Sequence, residues 1–194
     1  IYAAVGVILL AWIGTKLMAT NFGKEQMPEA IISAVATSNP SVSPSISSTG
    51  ESVEIRTVTS FDPFGDNSEN DQQVANTIDK KVNTVWETVN YKKSNLAGKP
   101  GVGLLLDLGA PRPVATVDIE FTTPGASVTV YVTDDSNPDI ATADKLGTAI
   151  ASSKSLTVKS PRPVSGRYVI VWLTKIPQSG SVWKSGISEI TVGL

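Results

Sequence analysis

The sequence predicts an all-β domain, an antiparallel sandwich or barrel, set behind an apolar helix and an extended tether. Three features of residues 51–194 carry that prediction. Short runs with strand periodicity recur along the whole stretch. Turn formers punctuate them, with Pro-Arg-Pro at 111–113 and again at 161–163, Thr-Pro-Gly at 123–125 and Asn-Pro-Asp at 137–139. No strand-then-helix rhythm, the mark of a parallel sheet, is present.

The chain opens with I-Y-A-A-V-G-V-I-L-L-A-W-I-G-T-K-L-M, whose one charge, Lys16, lies close to the end of the run. A helix that crosses a bilayer needs about 20 such residues, and a lysine at its rim reaches the headgroups. Residues 1–22 are therefore expected to be a membrane span, one that begins upstream of Ile1; a buried core helix or a signal-peptide apolar region is the alternative. Residues 27–35 suit one or two helical turns, with Pro28 early and Glu29 favourable to the helix dipole. Residues 36–50, A-T-S-N-P-S-V-S-P-S-I-S-S-T-G, carry no charge and little apolar surface. The whole of 23–50 is thus expected to be a disordered Ser/Pro-rich linker. A helix, a tether and a domain at 51–194 make the layout of a single-pass, membrane-anchored ectodomain.

The domain begins with S-V-E-I-R-T-V-T-S, in which Val53, Ile55 and Val58 are the apolar positions, and F-D-P-F-G-D-N-S-E-N follows as a loop. There Asp62, Asp66, Glu69 and Asp71 read as a solvated acidic turn, since they lack the glycine-centred spacing of a calcium-binding hand. Trp86 shares a strand face with Thr84 and Thr88, and it is expected to fill the core with its N–H on a loop carbonyl. Further strands are expected at 102–108, 114–121, 127–133, 155–158, 167–174 and 187–192, and the two Pro-Arg-Pro copies read as strand-entry turns.

Composition narrows function by exclusion. The chain has no cysteine and no histidine, which removes thiolate and imidazole metal sites and the Ser-His-Asp and Cys-His nucleophile systems. No pair of carboxylates stands out for glycoside hydrolysis. A net charge of -2 gives no overall field for nucleic acid, so any basic patch must be local. A non-enzymatic module is the expectation.

Ala75, Ile78-Asp79, Thr84, Trp86 and Thr88 resemble the A-x-x-x-D-G-x-x-x-T-x-W-x-T signature of discoidin-like domains, also called coagulation-factor C-type or galactose-binding-like domains. L-L-L-D-L-G with V-A-T-V-D-I, V-T-V-Y-V-T-D-D, G-R-Y-V-I-V and I-S-E-I-T-V are similar to that family's later strands, in its order. S-F-D-P-F-G-D, V-W-E-T-V-N-Y and K-P-G-V-G-L-L-L-D-L-G look more particularly like actinobacterial membrane proteins, among them peptidoglycan-precursor flippase homologues fused to a pseudokinase. The resemblance implies a jelly-roll sandwich of about eight strands on the extracytoplasmic side of the cell membrane. It implies binding of cell-wall glycan or peptidoglycan precursor through loops at one end, without catalysis. The alternative use of such a module is contact with protein partners of cell-wall synthesis.

Tyr91 and Trp183 sit in loop-like surroundings and are the candidate sugar-stacking rings, with lids over the core as their plainer role. Lys92 and Lys93, with Lys80, Lys81 and Lys99, fall in the loops flanking Trp86 and form a candidate positive rim. Arg167 offers a fork of donors to a sugar or carboxylate, or pairs with Asp107 or Asp118. Asp79 is suited to capping its own turn. The resemblance further implies a calcium ion held by Asp79, Thr84 and Glu189. Lys80 and Lys81 stand where the family prefers glycine and then an acidic or amide residue, and their charge disfavours a cation. A metal-free loop or a lysine in the ion's place is then the alternative.

Overall fold

Pairs of apolar runs that read as separate strands are halves of the same strand, and this continuity builds the domain. The computed structural model describes residues 50–194. The expected span at 1–22 and the linker up to residue 49 lie outside the described residues. Among those described, no helix is long and apolar enough to cross a membrane. The chain divides into two units, Ile1–Ser45 and Ile46–Leu194, and the second holds every described residue.

The strands in order are β1 (Ser52–Val53), β2 (Thr57–Phe61), β3 (Trp86–Glu87), β4 (Val102–Phe121), β5 (Ser127–Thr133), β6 (Asp144–Ile150), β7 (Ser155–Lys175), β8 (Gln178–Ser179), β9 (Val182–Trp183) and β10 (Gly186–Gly193). Short 3-10 turns occur at Asp71–Thr77 and Leu96–Gly98.

The first half of β4 pairs with β2, from Thr57↔Asp107 to Phe61↔Gly103, and with the second half of β7, from Val102↔Leu173 to Asp107↔Tyr168. From there the antiparallel ladder continues to β5 and β6. The second half of β4 pairs instead with β10 and with the first half of β7, where Val117 faces Val192 and Val158. Both long strands therefore pass through two layers. The six strands longer than two residues, with β4 and β7 each used twice, supply the eight passes of a jelly-roll sandwich.

Alternation explains why the apolar runs are so dense. Leu104 and Leu106 on β4, and Val169, Val171 and Leu173 on β7, point into the main core with Val117, Ile119, Ile187 and Ile190 of the other layer. Their neighbours Leu105, Ile170 and Trp172 join Phe61 on the outer face in a second, smaller cluster. A strand buried on both faces needs apolar residues at every position, as in Val169 to Leu173.

Both long strands bend where Pro-Arg-Pro stands. Register shifts fall between Asp107 and Arg112 and between Val114 and Thr116, because proline has no N–H for the ladder. The two motifs are thus corners inside continuous strands, and the expectation of strand-entry turns is corrected. Gly109 turns the corner at φ 78°, a left-handed conformation that favours glycine. A β-carbon there would also strike the Arg56 side chain. Strand β6 has no counterpart among the expected strands: only Leu146 of its seven residues is buried, so no alternation announces it.

Candidate functional site

Register brings one set of loops together. Phe61 pairs with Gly103, Val102 with Leu173, Ser127 with Lys175 and Phe121 with Ile187, so segments 62–72, 88–101, 122–126 and 176–185 leave the two layers at the same end. Backbone bonds tie them to one another. Tyr91 and Trp183 exchange N–H···O bonds of 2.8 and 3.0 Å, and the Ile176 N–H donates to the Ser94 carbonyl at 3.0 Å.

Under these loops lies a buried polar network that overturns the solvated acidic turn for Asp62 and Glu69, while Asp66 and Asp71 are exposed as expected. Glu69 is 0% exposed and Asp62 2%. The Glu69 carboxylate accepts the Val89 N–H at 2.7 Å and the Tyr91 hydroxyl at 3.0 Å. Its main-chain carbonyl accepts the Trp86 indole N–H at 2.6 Å, the loop carbonyl expected for that ring. Lys99 donates to Asp62 at 2.7 Å and reaches the Tyr91 hydroxyl at 3.4 Å. Burial pushes the Glu69 carboxyl above its ordinary value, against the pull of the Val89 N–H, the Tyr91 hydroxyl and Lys99. Burial, then the Glu69 charge, pushes the Tyr91 hydroxyl up, so it stays a donor. Asp62 Oδ1 is buried without a partner among the described residues. A network of this kind fixes loop geometry from below, the support a rigid binding rim needs.

Tyr91 is therefore not a sugar platform. Its ring is buried in the core, its hydroxyl is spent on Glu69, and the Lys99 ammonium lies 5.5 Å from its centroid. Trp183, its backbone partner, is half-buried against the core and lies at the loop end. Lys92 and Lys93 are exposed beside it, without an ion pair among the described residues.

Arg167 is elsewhere. It lies six residues before Leu173, about 20 Å along the strand at the usual rise. Both Asp107 oxygens accept from its guanidinium at 2.8 Å, which holds Asp107 below the ordinary carboxylate value. Its donors close the corner of the sandwich, so the alternative pairing with Asp107 holds and the candidate role as a ligand contact is corrected.

An aromatic that the sequence reading passed over is Phe64, on the 62–72 loop. It is 53% exposed and leans on Trp172 with centroids 6.2 Å apart. Its only signal in the sequence is an aromatic set among turn formers, where no burial period requires one.

Asp79, Thr84 and Glu189 come together beside β10. Asp79 accepts the Lys81 N–H at 2.9 Å, the expected turn cap, and both its oxygens lie 2.9 Å from the Thr84 hydroxyl. That hydroxyl is also 2.8 Å from the Lys81 carbonyl. Burial, then the Asp79 charge, pushes the Glu189 carboxyl up against the Lys80 N–H, and Glu189 Oε2 is buried without a partner among the described residues. Lys80 stands at φ 62°, which accounts for a glycine in the related signature. No cluster of three or more His, Cys, Asp or Glu side chains able to hold a metal occurs among the described residues.

Two carboxylates, a hydroxyl and a carbonyl nonetheless form an oxygen-only donor set with one carboxylate oxygen orphaned, which fits a hard cation. Asp79, Thr84 and Glu189 would hold it, and the ion would staple the 78–84 loop to β10. Lys81, whose ammonium is 3.8 Å from Asp79 Oδ2, competes for the same carboxylate. Removing a unit charge at that distance in water is worth about 1 kcal/mol. Lys81→Ala is thus expected to tighten calcium binding about fivefold in calorimetric titration; equal affinities would show that Lys81 does not compete.

No protein-family profile and no curated protein matches the chain. Solved structures do. The CBM32 module of AlyQ in complex with 4,5-unsaturated mannuronic acid superposes with a TM-score of 0.53 at 18% identity, over 73% of this chain and 97% of that one. Chitosan-binding module 1, derived from a chitosanase/glucanase of Paenibacillus sp. IK-5, gives 0.50 at 18% identity, covering 72% and 96%. A pectin binding carbohydrate binding module gives 0.51 at 15%, covering 72% and 91%. The described domain shares the antiparallel β-sandwich fold of these CBM32 and related modules, the galactose-binding-like fold.

Proposed function

We propose that residues 51–194 form a non-catalytic glycan-binding module whose ligand lies across the loop end. The observation that carries this is the pair of aromatics there: Phe64, 53% exposed, and the half-buried Trp183, above a buried polar network that holds their loops. A pyranose ring packs its apolar face on such a side chain while nearby donors orient it. The shared fold adds support, since the solved modules it resembles are named for chitosan, pectin and an unsaturated mannuronic acid. Absence of histidine and cysteine agrees with binding rather than turnover.

In its finer form the proposal is a membrane-anchored module outside the cell, held by residues 1–22 and reading cell-wall glycan or peptidoglycan precursor. The apolar opening run, the Ser/Pro-rich tether and the resemblance to actinobacterial flippase homologues support that form. Attachment to bilayer and wall together makes a weak site effective.

Pull-down on purified peptidoglycan and a panel of neutral and charged polysaccharides tests the reading. Retention is expected, with Phe64→Ala weakening it at least tenfold, as loss of a central aromatic contact does. No retention on any polymer would end it.

One observation favours the second reading, a protein-interaction module. Between β1 at Val192 and β3 at Ile187, the outer edge of β10 carries no strand among the described residues. An open cleft of about 770 Å³ there is lined by Ile78, Val82 and Ile55, and Val82 is 77% exposed. Capture that persists in excess polysaccharide and is lost in Val82→Asp would favour it.

A further inference from the structure

We infer that the glycan taken by the loop end is anionic, bearing fixed carboxylates or phosphodiesters; this rests on the glycan-binding reading. Pairing gathers lysines that are far apart in the chain. Lys92 and Lys93 are exposed on the 88–101 loop, and the Ile176 N–H···Ser94 carbonyl bond of 3.0 Å seats exposed Lys175 beside them. Exposed Lys154 stands at the same end, where its carbonyl accepts the Phe121 N–H. None of these four is in an ion pair among the described residues.

The other lysines of this end are already neutralised, Lys99 by Asp62 at 2.7 Å and Lys184 by Glu87 at 2.8 Å. Exposed acids at the loop end are Asp66 and Asp71, and Asp71 is engaged by the Ser60 and Ser68 hydroxyls. The far end carries both signs, with exposed Asp134, Asp135 and Asp139 following β5 and exposed Arg56, Arg112 and Arg162 near the corners. A chain of net charge -2 thus presents, among the described residues, ammonium groups outside ion pairs at the end that carries Phe64 and Trp183. Exposed charges act over a screening length of about 8–10 Å, so lysines gathered at one end attract a polyanion laid across it.

The test compares polygalacturonate with its fully methyl-esterified form, the same backbone without charge, and adds a glycerol-phosphate polymer. The full chain is used in non-ionic detergent micelles with a chelator present. Expected is binding to polygalacturonate or to the phosphate polymer, whichever source supplies the anion. Binding at least tenfold weaker is expected for the methyl ester, and loss of most affinity between 50 and 500 mM salt, on the order expected when exposed pairs are screened. The variant with Lys92→Ala, Lys93→Ala and Lys175→Ala is expected to bind about tenfold more weakly, each of the three exposed pairs contributing a factor of about two. A variant with Lys145→Ala and Lys159→Ala, away from this end, should bind as the natural chain does. Equal binding to the charged and esterified polymers, or to neutral polysaccharides alone, would overturn the inference while leaving glycan binding intact. Retention on no polysaccharide of either kind would instead remove the reading beneath it.

Discussion

Trp86→Ala is expected to lower stability by about 3–5 kcal/mol, the range for deleting a buried aromatic. That is a large part of the roughly 5–15 kcal/mol a domain commonly has. The indole is 0% exposed and sits on β3, which joins the edge of β10 through Ile187. Its N–H is the donor that holds the Glu69 carbonyl at 2.6 Å. Removing the ring leaves a cavity at the base of the loop end and an acceptor without its donor. Trp86→Phe goes far to separate the two effects, since it keeps most of the volume and loses the hydrogen bond, which accounts for about 1–3 kcal/mol. Equilibrium urea unfolding measures both. A Trp86→Ala loss below about 1 kcal/mol would show that the site collapses around the missing ring and is not rigidly packed.

Glu69→Ala should cost about as much, roughly 3–5 kcal/mol, the scale of breaking a buried charged group from its partners. The Val89 N–H and the Tyr91 hydroxyl would be left buried with no acceptor, and Lys99 would lose a nearby negative charge. Glu69→Gln keeps an acceptor and removes the titration, so it isolates the effect of pH. Because burial raises the carboxyl above 4.5 in the folded chain, its stabilising contribution is present below that value and is lost as pH rises through the raised one. The stability of the natural chain relative to Glu69→Gln should therefore fall as pH climbs from 4.5 and then level off. A difference that grows with pH would contradict the buried acid. Asp107 works in the opposite sense. Held below 3.8 chiefly by hydrogen bonds from Arg167, it contributes above that value, and the contribution goes as pH falls through the depressed one.

Much of this was legible in the residues. Strand-type runs identified most of the strands, and the unbroken apolar run from Val169 to Leu173 is written in the order of the letters. Trp86, flanked by threonines two positions away on either side, announced a core ring with a polar handle. The Asp79 turn was readable too, because an aspartate caps the backbone two residues on without help from elsewhere. Strand β6 was not, since an edge strand with one buried residue has no period to detect.

The candidate site was only half visible. Lys92, Lys93 and Trp183 could be named as loop residues, and Phe64 could not, because an aromatic in a turn looks the same whether it covers a core or faces water. Tyr91 and Arg167 each allowed two readings, ligand contact or structural partner, and only the fold chose the second. Each is satisfied by a partner 22 or 60 residues away, Glu69 and Asp107; the second could be named as one of two candidates, but nothing local selects between them or marks the first. Likewise Glu69 reads as one more surface acid until the segments 88–101 and 62–72 are folded over it.

By itself the sequence determined most of the layer-forming strands, the ring at the centre of the core and the absence of histidine- and cysteine-based chemistry, all of which depend on residue type and short-range periodicity. Only the tertiary structure decided which loops share an end, which lysines stand free there and which carboxylates are buried. Those outcomes depend on register between strands such as β4 and β7, whose paired residues are separated by tens of positions, and no local period carries that information.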